Sequence, residues 1–335
     1  MSNKVIYLSF IKYVKKILLI CFSYLPSCIK IFFYRIMGAT IGKNVELGLG
    51  SFIIPYFSGF KKINIGNNVV IGDYVHILSK SLLIGDDGQI KNNTHIWGQS
   101  NFTMGNETYI DKECRFDLRR DITLGKKVVI SGGSWFFTHM VSQSVLEGAP
   151  SKFGPIIIED RTYMGANSLV LPDITIGHDV IIGARTVVTK NVNPDIVVVG
   201  NPAREIGHTS QRIKKLTRED KNMFVKNIFN DFVTMYPEQL ELKSNRENCC
   251  VIKMDSTHIV YHSRIDYDAF IDTIIKKYGK PLTLVSFDIP DSVKKICTVQ
   301  DILWIDLETS TRSVKTNKIN RFLEQFFGNY GIKIS

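Results

Sequence analysis

Aliphatic residues followed by glycine recur through the middle of the chain, at Ile41-Gly42, Ile65-Gly66, Ile71-Gly72, Ile84-Gly85, Met104-Gly105, Leu124-Gly125, Met164-Gly165, Ile176-Gly177 and Ile182-Gly183. The steps from 41 to 65, 65 to 71, 164 to 176 and 176 to 182 are multiples of six, and those from 71 to 84, 84 to 104 and 104 to 124 exceed one by one or two. A period of six fits neither a helix, whose apolar face recurs near 3.6, nor a plain two-faced strand. It predicts a short strand and a bend, repeated. The aliphatic residue points inward once per side, and the following Gly, Asn or Asp sits at a corner where a positive φ is expected. Triplets such as Gly42-Lys43-Asn44, Gly66-Asn67-Asn68 and Gly177-His178-Asp179 supply such corners. Stacked about 4.8 Å apart, these coils bury one continuous aliphatic column.

The flanks follow other patterns. Residues 1–38 are basic and aromatic-rich with no acidic residue, and predict one or two helices interrupted near Pro26. Such a leader either lies on an anionic membrane surface with its lysines at the headgroups or packs on the next domain or a neighbouring subunit. Its longest uncharged run, Ile17 to Ile29, is about 13 residues against the roughly 20 of a spanning helix, and no small-residue cleavage pattern follows it. Residues 208–335 lose the six-residue register. Arg212 to Tyr236 reads as a charged helix, Cys250 to Lys253, His258 to His262 and Leu282 to Phe287 as strands, and Tyr267 to Tyr278 and Asn317 to Phe327 as helices. Alternating strands and helices predict a small α/β domain.

Composition narrows the classes. With 335 residues, 44% hydrophobic and 22% charged, the chain is neither mainly disordered, collagen-like nor a polytopic membrane protein. The net charge of +10 suits an anionic partner. No nucleic-acid module accompanies it, and the basic residues are interleaved with acids through most of the repeat, so no nucleic-acid partner is expected. The six cysteines are scattered without metal-ligand spacing or the density of a secreted disulfide scaffold, which points to a reducing cytoplasm.

The run Tyr163-Met164-Gly165-Ala166-Asn167-Ser168, then Ile182-Gly183-Ala184-Arg185-Thr186-Val187-Val188-Thr189-Lys190, ending Val199-Gly200-Asn201-Pro202-Ala203-Arg204, resembles the C-terminal coils of hexapeptide-repeat acyltransferases of the galactoside, maltose and xenobiotic O-acetyltransferase branch. The resemblance covers about residues 39–207. It implies a mainly β protein built on a left-handed parallel β-helix with triangular 18-residue coils, associated as a homotrimer. Here that domain stands between the helical leader, 1–38, and the α/β accessory domain, 208–335.

Acyl transfer to a hydroxyl needs a base, donors for the developing oxyanion and a groove presenting the thioester. Histidine is the natural base near neutral pH. The register places Leu124, Ile130 and Phe136 and then breaks, so that His139 ends the last regular side before a loop, Met140 to Gly154. The resemblance implies that His139 deprotonates the acceptor in a cleft between subunits and that transfer is direct, with no acyl-enzyme. It also implies that Gly165, Ala166 and Ala184 line the pantetheine arm of acetyl-CoA, that Thr189 and Lys190 lie near its adenine and phosphates, and that Arg204 adds charge. Arg115 and Asp117 fall where the family holds a sugar, Trp135 could stack on a sugar ring, and Glu147 on the loop could close over the site. His178 occupies a polar corner, and His76, His95, His208, His258 and His262 lack an adjacent loop or carboxylate pattern. Zinc needs three protein ligands, and no second histidine lies within thirty residues of His139; no metal is expected.

These readings converge on an acetyl-CoA-dependent O-acetyltransferase. Its acceptor would be a sugar hydroxyl of a bacterial surface polysaccharide or its lipid-linked precursor, met in the cytoplasm at the inner face of the membrane. Two alternatives stay open. One is N-acetylation of an amino sugar, whose enzymes often carry a preceding nucleotide-binding domain with a glycine-rich turn that residues 1–38 do not contain. The other is a non-catalytic trimeric scaffold with residues 208–335 as binding module.

Overall fold

The computed structural model describes residues 19–328 apart from 142, 213, 215, 247–248, 255, 263–268, 288, 310, 314–322 and 324–325. The chain divides into two compact units, Met1–Lys214 and Lys215–Ser335.

In the first unit the six-residue rhythm becomes a three-sided parallel β-helix, the left-handed prism of the hexapeptide repeat. Each face stacks at least one inward column in register. On the first face Ile41, Ile65, Ile84, Met104, Leu124, Ile158 and Ile176 follow one another. On the second, the column is Leu47, Ile71, Ile90, Ile110, Ile130, Met164, Ile182 and Val198. The third runs Ile53, Ile77, Ile96, Phe116, Phe136, Val170 and Val188. All are buried and form one continuous core, in which the Phe116 and Phe136 rings stack at 4.4 Å. The strand Arg204–His208 turns back antiparallel on Ile196–Val199 and ends the stack.

The corners narrow the sequence reading. Positive φ does not fall on the glycine of each aliphatic-Gly pair but two residues later, on the expected Asn or Asp at Asn44, Asn68, Asp87 and Asp179 and also on Glu107 and Lys127, and it falls on Arg161 where Glu159 stands in the glycine's place, with φ between 53° and 58°. This backbone costs roughly 1–2 kcal/mol per non-glycine residue. It is offset because the turned amide donates to the preceding coil, as Asn68 does to the Lys43 carbonyl at 2.8 Å and Arg161 to that of Lys126 at 2.8 Å. The glycine serves close approach instead: a Cβ on Gly42 would lie 2.5 Å from the Gly66 carbonyl oxygen. Asn and Asp side chains stitch the same corners, Asn67 Oδ1 accepting from the Lys43 amide at 2.9 Å and Asp160 Oδ1 from that of Lys126 at 2.8 Å.

Helix α1 (Ser27–Ile36) covers the open end of the first coil. Its inward face carries Lys30, Ile31 and Tyr34. The Lys30 ammonium, fully buried, donates to the carbonyls of Ser23 (3.1 Å), Ser51 (3.4 Å) and Gly48, and burial lowers its pKa. Tyr34 Oη accepts from the Ile53 amide at 2.8 Å. The leader therefore packs on the prism along one side, as one of its two expected readings had it, while Ile29, Phe32, Phe33 and Ile36 stay exposed. Residues 1–18 of the leader lie outside the described residues.

The second unit is α/β. A six-stranded sheet runs Leu240–Arg246, Cys249–Met254, Thr257–His262, Leu282–Ser286, Leu303–Asp306, Thr311–Arg312. Its middle three strands are parallel and its outer pairings antiparallel. Helix α2 (Arg218–Met235) opens with a Thr217/Asp220 capping box and packs Phe229 and Phe232 in one core with Tyr261, Val285 and Ile305. Helices α3 (Ala269–Tyr278) and α4 (Asp291–Val299) contribute Ile274, Val293 and Cys297 to a second core with Val260 and Leu284. The sequence reading lacked the strands at 240–246, 303–306 and 311–312 and helix α4. Most of the helix expected over 317–327 lies outside the described residues.

Candidate active site

The outer side of the third face carries two ladders. Phe52, His76, His95, Arg115, Trp135, Leu169 and Val187 follow one another in register, and beside them run Ile54, Leu78, Trp97, Asp117 and Phe137. Insertions into the rhythm collect where this face turns into the first. At the fifth coil that corner is held by Thr138, whose hydroxyl is buried. It donates to the Asp117 carbonyl at 2.7 Å and accepts from the amides of Arg119 (2.8 Å) and Arg120 (2.9 Å). His139 follows directly, fixed to the corner below it.

The break in register is a hairpin arm. His139–Val141 pairs antiparallel with Ser151–Phe153, His139 opposite Phe153. A 3₁₀ turn at Val145–Glu147, capped by Ser144, forms the tip, and Gly148 leaves it at φ 82°. The base closes with the Gly154 amide on the Thr138 carbonyl at 3.1 Å. Gly154 is required there, since a Cβ would stand 2.2 Å from that of Asp173.

At the root of this arm His139 Nδ1 lies 3.6 Å from Asp117 Oδ2, with the two side chains 28% and 15% exposed. Nδ1 is buried and has no hydrogen-bond partner at ordinary distance. An approach of about 0.5 Å would make the carboxylate its partner, and such bonds are often long before substrate binds. The imidazole stacks on Phe153 at 5.9 Å, whose ring also carries the Arg120 guanidinium at 5.2 Å. The arrangement can hold one imidazole nitrogen against a negative charge and leave the other to exchange protons.

Other histidines also sit beside carboxylates, which the sequence reading had not foreseen. His178 meets Asp179 at 2.8 Å and His208 meets Asp195 at 3.5 Å, but their side chains are about half exposed. Asp179 is moreover gripped by Arg161 through two bonds of 2.7 and 2.6 Å, which with His178 holds its pKa down at about 2. These are solvated corner ion pairs. His139 differs by its buried nitrogen and by the arm.

The remaining expected residues fall in distinct places. Arg115 and Trp135 are neighbours in one ladder, Trp135 with its ring 5.8 Å from that of Phe137. Glu147 is at the exposed tip of the arm. Gly165, Ala166 and Ala184 occupy the opposite edge, between second and third faces, where the Arg185 amide donates to the Ala166 carbonyl at 2.8 Å; they are not beside His139 in the same chain. Thr189 and Lys190 directly follow Val187–Val188 of the third face, on the His139 edge two coils further on. Arg204 is exposed at the end of the stack, just past Ala203, whose amide donates to the Val187 carbonyl at 2.9 Å. Thr138 and Phe153 are not among the expected residues, and Arg120, which reads in the sequence as part of a surface ion-pair cluster with Arg119 and Asp121, lies over the Phe153 ring. Only the position of Thr138 immediately before the break could have signalled it. Among the described residues no group of three His, Cys, Asp or Glu could hold a metal ion.

The family described as hexapeptide repeat of succinyl-transferase matches residues 155–190. The Staphylococcus aureus (strain COL) protein SACOL2570, assigned as an acetyltransferase, is 32% identical over 125 residues, 37% of this chain and 63% of its own. The bifunctional protein GlmU of Acaryochloris marina (strain MBIC 11017) is 29% identical over 196 residues, 50% of this chain and 40% of its own. Among solved structures, the N-acyltransferase AntD from Bacillus cereus, in complex with dTDP-4-amino-4,6-dideoxyglucose and coenzyme A, shares 20% identity over 62% of this chain and 96% of its own, with a TM-score of 0.38. The polySia-specific acetyltransferase NeuO shares 17% over 51% and 76%, with a TM-score of 0.37. The matches thus span 63% of the length of the staphylococcal relatives. Residues 155–190 thus carry the hexapeptide repeat, and over 125 residues the chain is similar to a staphylococcal protein assigned as an acetyltransferase.

Proposed function

We propose that the chain transfers an acetyl group from acetyl-CoA to a sugar hydroxyl of a bacterial surface polysaccharide or its lipid-linked precursor, at the inner face of the cell membrane. The observation that carries this reading is His139 at the root of the arm, with Nδ1 turned toward Asp117. Asp117 holds the ring and balances the charge it acquires. Nε2 takes the proton of the acceptor hydroxyl as its oxygen attacks the thioester carbonyl. The carbon–sulfur bond breaks, and His139 returns the proton to the departing sulfur, so no acyl-enzyme is needed.

The residues present fit an acyl-CoA. Ala184 is exposed and Ala166 half-buried on adjacent coils, so their small side chains leave backbone open to an extended, amide-bearing arm. Exposed Lys190 and Arg204 suit phosphates. Because Ala166 and Ala184 lie on the edge opposite His139, one site needs two chains. A threefold assembly would set the His139 edge of one copy against the Ala184 edge of the next. The exposed apolar arm, with Leu146 95% exposed at its tip, supports such a neighbour.

The test is CoA release by the purified protein with a panel of sugar acceptors. His139→Ala should lose roughly 100- to 10,000-fold in rate while melting like the parent. Parental turnover by this variant would overturn the assignment of the base, and turnover confined to amino sugars would replace oxygen by nitrogen as the acceptor atom.

A further inference from the structure

The chain's excess of positive charge is concentrated in the first fifth of its sequence. Residues 1–72 hold nine lysines and arginines and a single acid, Glu46, a net +8 within the whole chain's +10. Among the described residues of this stretch, Arg35, Lys43, Lys61 and Lys62 are exposed around the first coil. Lys61 reaches the end of α1, its Cγ 3.1 Å from where a Cβ on Gly38 would stand, and Arg35 is held to the coil edge by bonds to the Ile41 and Gly42 carbonyls at 2.9 and 2.7 Å.

Inside this basic rim lies an apolar face. The side of α1 turned away from the prism carries Ile29, Phe32, Phe33 and Ile36, of which Phe32 is 60% and Ile36 66% exposed. Met37, directly after the helix, is exposed as well. The inward side is fully used by Lys30, Ile31 and Tyr34, so the free side faces outward from the open end of the stack. Apolar residues ringed by cations are what an interfacial helix presents to anionic headgroups. A second copy docking there would bring the same exposed cations, Arg35, Lys43, Lys61 and Lys62, against themselves, which disfavours a self-interface.

We propose that the outer face of α1 with its rim of Arg35, Lys43, Lys61 and Lys62 docks on an anionic lipid bilayer and sets the prism end-on to the membrane. No helix among the described residues is long and apolar enough to cross it, so the contact is peripheral. The proposal rests on the acceptor reading only in its consequence. From Phe52 to Trp135 the third face climbs four coil steps, about 19 Å at 4.8 Å per step. His139 then stands that far above the surface, within reach of a lipid-linked chain of several sugars rather than a single one.

The experiment is flotation of the full chain with phosphatidylcholine vesicles, with and without roughly one third phosphatidylglycerol. The protein should float with the anionic vesicles and be released as salt rises. F32E/I36E and K61E/K62E should each weaken binding by about tenfold or more, with melting temperature and CoA release on a soluble sugar unchanged. Failure of the parent to float, or variants that float like it, overturns the proposal. So does a change of oligomeric mass in light scattering with no vesicle binding, which would make the face an interface between copies. Binding is read without turnover, so an inactive protein that floats would sink the acetyl-transfer reading and leave the docking face standing.

Discussion

Asp117→Asn separates two roles for one carboxylate. If Asp117 supports His139, the substitution removes a charge 3.6 Å from Nδ1 and preserves shape. Two unit charges at that distance interact by about 1 kcal/mol in water and about 4.6 kcal/mol at an effective dielectric of about 20. Both side chains are partly exposed, so screening keeps the loss nearer about 1–3 kcal/mol, or roughly 5- to 150-fold in rate. The loss should fall on kcat, because the charge on the ring develops as the proton moves, and the KM values for acceptor and acetyl-CoA should hold. Steady-state CoA release with each substrate varied in turn reads this directly. A raised acceptor KM with kcat intact would refute the positioning role and return Asp117 to holding the sugar, as the sequence reading placed it.

Two further substitutions probe the scaffold. Gly165→Val sets a Cβ 2.5 Å from the backbone nitrogen of Ala184, which cannot yield as a flexible side chain would. A stability loss of about 1–3 kcal/mol in chemical unfolding is expected; an unchanged midpoint would mean that Gly165 matters only to the acyl donor. His95 is pushed down from 6.5 to about 4 by burial, Arg115 and His76. The unfolded chain therefore binds this proton first, and stability should fall as pH drops through that window. His95→Phe should flatten the fall by on the order of 1 kcal/mol after solvent screening, measured as unfolding midpoints at neutral and mildly acid pH; an unaltered slope would contradict the cause assigned.

The prism was legible because its core repeats: Ile41, Ile65 and Ile84 announce a column before any coordinates are seen. Corner chemistry was only half legible. Glycine suggested positive φ, yet Lys127 and Arg161 take that backbone, because a hydrogen bond to the neighbouring coil decides the conformation and glycine is spent on coil-to-coil clearance. The place of His139 at the root of the arm was legible from the interrupted register. Its supports were not, since Thr138 joins Asp117, Arg119 and Arg120 across about one coil, and nothing local in the sequence links them. In the second unit, Leu303–Asp306 and Thr311–Arg312 are too short to carry a period of their own, and their pairing partners are set by the sheet.

A site built from two chains is tested most directly by co-assembling His139→Ala with Ala184→Trp and measuring CoA release. Each variant alone should be nearly inactive. Random mixed trimers should regain about a quarter of parental activity, because an intact His139 edge then meets an intact Ala184 edge across some interfaces. No recovery in assemblies shown to be mixed would contradict the shared site.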